Sequence, residues 1–206
     1  MEPAGKLLLY GGTFDPPHMG HMNNLRAVMA AVHPDKVLVM PAGIPPHKAA
    51  SATPGEVRLA MCRCFTEVDP RVEVSRWEID HQGRSYTVHT LQMLRDTNPG
   101  TALYLALGSD MLLTFTQWHR WQTILALATL VVQSRAGGDS ADLHAAADAL
   151  RPYGGRVLFA DAMPVPCASS QIRAGSLDAD TLRRVLPESV RRIIRQKNLY
   201  GLADRV

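Results

Sequence analysis

Lys6-Leu7-Leu8-Leu9-Tyr10-Gly11-Gly12-Thr13-Phe14-Asp15-Pro16-Pro17-His18-Met19-Gly20-His21 decides how the rest of the chain is read. A short apolar run is ended by two glycines, as in a buried strand of a parallel sheet. A rigid proline loop follows, then two histidines three residues apart. If a helix begins near His18, both imidazoles lie on one face of its first turn. The glycines let the backbone approach a phosphate, and the helix N-terminus offers free N–H groups and a partial positive charge. The stretch therefore reads as a phosphate site at the end of a strand. It lacks the Gly-Lys-Ser/Thr ending of the Walker loop and the Gly-x-Gly-x-x-Gly dinucleotide fingerprint. Standing alone, His-x-x-His also fits a capping pair, or two metal ligands without a third close in sequence. The surrounding glycines and prolines favour phosphate.

Outward from this stretch, similar apolar runs recur at 36–40, 72–75, 102–107, 129–133 and 156–160. Helical patterns lie between several of them. Residues 54–68 open with Thr53 and Glu56 in capping-box spacing and place Val57, Ala60, Met61, Cys64, Phe65 and Val68 on one face. Gly137-Gly138 precedes an alanine-rich helix at 140–150. After the sixth run two short helices are expected, with Pro187 near the start of the second. Alternating strands and helices predict a doubly wound α/β domain, a parallel sheet with helices on both faces. The polar residues gather just after strands, at Gly11 to His21, His47-Lys48, Gly108-Ser109-Asp110 and Ser169 to Arg173. In open parallel sheets the ligand crevice lies at that carboxyl edge, so distant segments are expected to converge on one site.

The chain of 206 residues with 46% apolar content suits one domain, 1–206, in which 169–206 form a small helical C-terminal part. No apolar stretch approaches a membrane span or a signal region, which predicts a cytoplasmic protein without membrane partners. Cys62, Cys64 and Cys167 form neither a disulfide framework nor zinc-type knuckles and read as reduced thiols. The net charge of +3 is small, although Arg183, Arg184, Arg191, Arg192, Arg195 and Lys197 crowd the last quarter. A solvated helical face accounts for them better than a nucleic-acid partner. Oligomeric state has no marker in the sequence.

The opening stretch resembles the signature of the nucleotidylyltransferase superfamily, a strand and loop ending in His-x-Gly-His, and more narrowly that of bacterial nicotinate-nucleotide adenylyltransferases. Further segments extend the resemblance over nearly the whole chain. Pro45-Pro46-His47-Lys48 is similar to the family's proline-histidine-lysine loop, and Gly83-Arg84-Ser85-Tyr86-Thr87 to its Ser-Tyr-Thr segment. Leu107-Gly108-Ser109-Asp110 with Trp118 resembles its Gly-x-Asp and tryptophan block. Ser169-Ser170-Gln171-Ile172-Arg173 resembles its last motif, and Asn198-Leu199-Tyr200-Gly201 its usual ending. Two departures stand out: Ala168 replaces the first serine of the last motif and Ser170 its threonine, and Arg135 is followed by Ala136 where proline is common.

The resemblance implies a Rossmann-like fold and adenylyl transfer from ATP to nicotinate mononucleotide. Nicotinamide mononucleotide or phosphopantetheine would be alternative acceptors. It further implies that His18, His21 and Arg173 carry the catalysis. Gly11, Gly12, Thr13, Phe14, Gly108, Asp110, Ser169 and Ser170 would join them around ATP. Thr13, Lys48, Ser85, Tyr86, Thr87, Trp118 and Arg135 would bind the mononucleotide. Mg2+ would be held mainly by the ATP phosphates, with no dedicated protein ligands. Such chemistry calls for in-line positioning and cationic donors and needs no nucleophilic triad.

Overall fold

The computed structural model describes residues 4–44, 51–81, 83–135, 141–163 and 165–206. Six strands form one parallel sheet: β1 (Lys6–Gly12), β2 (Lys36–Pro41), β3 (Val72–Val74), β4 (Ala102–Gly108), β5 (Ala128–Arg135) and β6 (Val157–Ala162), in the order β3-β2-β1-β4-β5-β6. This is the Rossmann-like strand order, with its switch point between β1 and β4. Leu9 is in register with Leu38 on one side and Leu105 on the other. Each apolar run expected to be a strand is one.

β1 shows why the sheet is covered on both faces. Successive side chains point to opposite sides. Leu8 and Tyr10 enter a core with Leu25 and Val28 of α1 (Met19–Val32) and Met61 of α2 (Gly55–Cys62). Leu7 and Leu9 enter a second core with Leu91 of α4 (Thr87–Thr97), Leu112 of α5 (Ser109–Leu113), Ile124 of α6 (Trp121–Leu127) and Leu143 of α7 (Ala141–Leu150). A short α3 (Trp77–Asp80) sets Trp77 against that second core. Where two helices were expected after β6, three follow: α8 (Ser169–Arg173), α9 (Ala179–Val185) and α10 (Glu188–Lys197). The Asp178 carboxylate caps α9 by accepting the Thr181 N–H at 2.8 Å, and Pro187 is the N-cap residue of α10. Ile172, Leu182 and Ile194 from these helices join the Leu8 core, so the helical C-terminal part shares that core with the sheet.

Residues 54–68 depart from their expected form. The α-helix ends at Cys62 and tightens into a 3-10 turn, Arg63–Glu67. Pro54 is the N-cap residue, so the Thr53–Glu56 capping box is not made; the Thr53 hydroxyl points instead to Tyr200, at 3.4 Å. Val57, Ala60 and Val68 are half-buried, whereas Arg58 is fully buried. Among the described residues, no helix is long and apolar enough to cross a membrane.

Candidate active site

The loop between β1 and α1 is built around the Phe14 ring. Phe14 has φ +48°, in the left-handed region, a conformation that costs a non-glycine residue on the order of 1 kcal/mol. Packing holds it there, with ring centroids 5.6 Å from Tyr10, 5.0 Å from Phe65 and 5.2 Å from His21. A Cβ on Gly12 would lie 2.8 Å from the Phe14 ring, which explains that glycine sterically. Phe14 thus supports the loop from the core, its side chain committed to packing. The peptide bond between Asp15 and Pro16 is cis.

The helix begins where the sequence placed it, with His18 as N-cap residue. The two imidazoles stack with centroids 3.8 Å apart. The His18 backbone N–H donates to Nδ1 of His21 at 3.3 Å, and the Tyr10 hydroxyl donates to the His21 carbonyl at 3.0 Å. His18 is buried, and its Nδ1 has no partner among the described residues. A Cβ on Gly20 would come within 2.9 Å of that ring, so Gly20 leaves room for the His18 imidazole. Burial pushes His18 down to about 4 and, with repulsion from His18 added, His21 down to about 3. Both rings are therefore neutral near pH 7. They offer neutral N–H groups, and fixed positive charge beside the loop comes from Arg173.

Arg173, the last residue of α8, reaches back to this loop. Its Nη1 donates to the Asp15 carbonyl at 2.6 Å, and its Nε lies 4.0 Å from the Asp15 carboxylate. The Ser169 hydroxyl donates to the Pro16 carbonyl at 2.8 Å, while Ser170 is exposed one residue further along. Ala168, where the family has a serine, is the N-cap residue of α8, and its N–H is taken by the Gln171 side chain at 2.9 Å.

At the β1/β4 switch point, lined by Gly12 and Thr13 where the histidine loop leaves β1, lies a cavity of about 470 Å³. Gly11, Gly12, Thr13, Ser85, Tyr86, Thr87, Gly108 and Trp118 line it, so of the segments expected to converge those beginning at Gly11 and Gly108 meet here, joined by the Ser-Tyr-Thr segment; Ser169 to Arg173 reach the loop after β1 instead, and His47-Lys48 lie outside the described residues. The Ser85 N–H donates to the Ile44 carbonyl at 2.8 Å, joining the Ser-Tyr-Thr segment to the loop after β2. Thr87 opens α4; the N–H groups of His89 and Thr90 bond to the Tyr86 carbonyl, leaving those of Thr87 and Val88 free of helical partners. Asp110 is exposed at the second position of α5, whose N-cap residue is Gly108. Lys48 lies outside the described residues, as does the Arg135 side chain; the Arg135 backbone ends β5.

Three participants were missed in the sequence. His119 lines the cavity with its ring 4.6 Å from Tyr86; its position next to Trp118 was the available signal. Glu78 also lines it, accepting the Thr90 hydroxyl at 2.6 Å, and burial raises its carboxyl above the usual range despite that bond. Arg58 donates to the Thr13 carbonyl at 2.9 Å, the Thr53 carbonyl at 3.3 Å and the Gly43 carbonyl at 3.5 Å, bracing two site loops from below. Three of the six basic residues of the last quarter are paired locally, Arg183 with Asp180 and both Arg191 and Arg195 with Glu188. A larger groove of about 690 Å³ runs between α7 and the opposite, amino edge of β4 to β6, away from the histidines.

The comparisons with known proteins agree with this geometry. A family model described as cytidylyltransferase-like matches residues 9–175. A protein of Acidithiobacillus ferrooxidans named "Probable nicotinate-nucleotide adenylyltransferase" is 36% identical, the match covering 94% of this chain and 95% of that protein. One of the same name from Aeromonas salmonicida is 37% identical over 93% and 95% of the two chains. Among solved structures, Plasmodium falciparum nicotinic acid mononucleotide adenylyltransferase complexed with NaAD superposes with TM-score 0.73 at 14% identity, over 96% of this chain and 98% of that one, a likeness of fold. With the His-x-Gly-His loop, the Ser-Tyr-Thr turn and the tryptophan block all at one sheet edge, the chain belongs to the cytidylyltransferase-like family and, within it, to the nicotinate-nucleotide adenylyltransferases.

Proposed function

We propose that the protein transfers the adenylyl group of ATP to the phosphate of nicotinate mononucleotide, releasing pyrophosphate and forming nicotinate adenine dinucleotide for NAD biosynthesis in the cytoplasm. The observation that carries this reading is the stacked His18–His21 pair at the start of α1, on the loop whose Thr13 lines a cavity together with Ser85, Thr87 and Trp118. An oxygen of the mononucleotide phosphate attacks the α-phosphorus of ATP, and the bond from that phosphorus to the bridging oxygen of pyrophosphate breaks. The attacking oxygen is ionised at neutral pH, so no general base is needed. The enzyme supplies alignment and charge stabilisation.

In this reading His21, protonated on Nε2 because its Nδ1 is an acceptor, donates to the α-phosphate as negative charge builds there. His18 and the first N–H groups of α1 hold the neighbouring phosphate oxygens. Arg173 binds the departing β and γ phosphates. The backbone of Gly11 to Phe14, Gly108 with Asp110, and Ser169 with Ser170 complete the ATP site. Thr13, with Lys48 and Arg135 assigned by resemblance, holds the mononucleotide phosphate. Mg2+, when bound, neutralises polyphosphate charge. The carboxylate nearest the phosphate loop, Asp15, is already engaged by Ser51, Tyr200 and Arg173, which fits an ion held by phosphate oxygens and water.

The pyridine ring is placed against Trp118, with Tyr86 and His119 beside it. Free N–H groups and the positive end of α4 at Thr87 favour a carboxylate over a neutral amide. The test is pyrophosphate release from ATP and Mg2+ with nicotinate or nicotinamide mononucleotide as acceptor. A preference for nicotinate of about tenfold or more is expected from charge-assisted bonding. Equal use of the two would reject the account of specificity, and no release with either would reject the reading.

A further inference from the structure

The Asn198-Leu199-Tyr200-Gly201 segment has a built conformation of its own. Asn198, Tyr200 and Gly201 all have positive φ, +48°, +58° and +65°. Asn198, the C-cap of α10, and Gly201 adopt that backbone readily, whereas for Tyr200 it is unfavourable. It turns the Tyr200 ring inward onto the Leu8 core, against which it packs half-buried. The hydroxyl donates to Oδ1 of Asp15 at 2.6 Å, across 185 residues of sequence. Oδ2 of the same carboxylate accepts the Ser51 hydroxyl, also at 2.6 Å. Asp15 is itself buried, and its carbonyl and carboxylate are what Arg173 grips. A buried carboxylate is expensive unless each lone pair is answered, and here the answering groups come from three separate segments.

We propose that Tyr200 is a positioning residue for adenylyl transfer, its hydroxyl holding the Asp15 carboxylate so that Arg173 stays aimed at the leaving phosphates. The inference rests on the role given to Arg173 above. Burial disfavours the Asp15 charge, but the hydrogen bonds from Ser51 and Tyr200 and the Arg173 charge hold its carboxyl below the usual range. The carboxylate is therefore ionised whenever Arg173 needs its counter-charge. Losing the Tyr200 hydroxyl leaves Oδ1 short of a donor, and the cheapest relief is for Asp15 and its arginine to shift together. The rest of the Tyr200 ring is apolar packing, which phenylalanine preserves.

The experiment is a double-mutant cycle on the full chain, read as pyrophosphate release from ATP and Mg2+ with nicotinate mononucleotide, with melting curves for each variant. Tyr200→Phe is expected to lower kcat about tenfold, the scale of one hydrogen bond to a charged group. The KM for ATP should change less than kcat, because the affected contact strengthens as pyrophosphate leaves. Arg173→Ala is expected to lower kcat about a hundredfold, the scale of a lost transition-state donor. The double variant should be no slower than Arg173→Ala alone. Losses that multiply would overturn the inference, as would wild-type kcat in Tyr200→Phe. Wild-type kcat in Arg173→Ala, or no turnover in the wild-type protein, would overturn the functional reading and this inference with it. If Tyr200→Phe fails to fold, Ser51→Ala, which strips the other donor from the same carboxylate, carries the same expectations.

Discussion

The backbone N–H of His18 donates to Nδ1 of His21 at 3.3 Å, and this one bond sets the chemistry of the second histidine. With Nδ1 occupied as an acceptor, the neutral ring carries its proton on Nε2. The same bond ties the ring to the helix start, so its direction is fixed before a ligand arrives. His21→Ala is expected to lower kcat by about a hundred- to a thousandfold, as for loss of one transition-state donor. The circular dichroism spectrum should stay near wild type, since the two main cores keep their residues, while the melting temperature falls modestly with the lost packing on Phe14. Near-normal pyrophosphate release would remove His21 from its assigned role.

The histidine pair also makes a prediction about acid. Both rings titrate lower in the folded protein, about 4 for His18 and about 3 for His21, than the 6.5 of an unperturbed histidine. Below 6.5 the unfolded chain takes up protons that the folded one does not, so stability falls with pH. Their contribution is complete above pH 6.5 and is lost as pH falls toward 4. Melting temperatures from pH 7.5 to 4.5 should drop more steeply for wild type than for a His18→Asn/His21→Asn variant. Parallel curves would contradict the burial of the pair.

Gly20 separates activity from stability. In the first turn of α1, alanine favours the helix over glycine by about 1 kcal/mol. Its Cβ, however, would sit 2.9 Å from Nδ1 and Cε1 of His18, so the imidazole must move. Gly20→Ala should therefore melt at or slightly above the wild-type temperature while losing about tenfold or more in kcat, the scale of a misplaced donor. An active, equally stable variant would show that the His18 ring position is not critical.

Arg58 is expected to behave in the opposite way, through stability first. It is 3% exposed and spans the Thr13, Thr53 and Gly43 carbonyls. Arg58→Ala leaves these acceptors without donors, at a cost of about 2–4 kcal/mol in chemical denaturation. Because Thr13 lines the cavity, the KM for the mononucleotide should rise as well. A loss under 1 kcal/mol with unchanged KM would mean that water replaces the guanidinium fully.

What could be read from residues 6–21 alone was considerable, because every signal there is local. An apolar run, glycines that clear space for Phe14 and His18, and a histidine at the helix start each act within a few residues. The same holds for the other strands, where runs such as Leu103 to Leu107 show burial on both faces directly. Expectation failed where two local solutions competed. Thr53 had capping spacing, but Pro54 took the cap position and the hydroxyl turned toward Tyr200. After β6 three short helices stand where two were expected, and the Asp178 cap that opens the one at 179–185 is a local signal for the extra start.

The sequence by itself determined a parallel sheet with a glycine-proline loop and a histidine helix start at its carboxyl edge, because strand burial, turn sterics and helix starts depend on neighbours in the chain. The tertiary structure alone decided that Tyr200 answers Asp15, that Arg58 is buried beneath two loops, and that Glu78 and His119 face the cavity beside Trp118. These partners lie tens to nearly two hundred residues apart. A hydroxyl, a guanidinium or a carboxylate carries no periodicity that names its partner; the pairing follows only after the backbone is packed and each buried polar atom must find the one complementary group within reach.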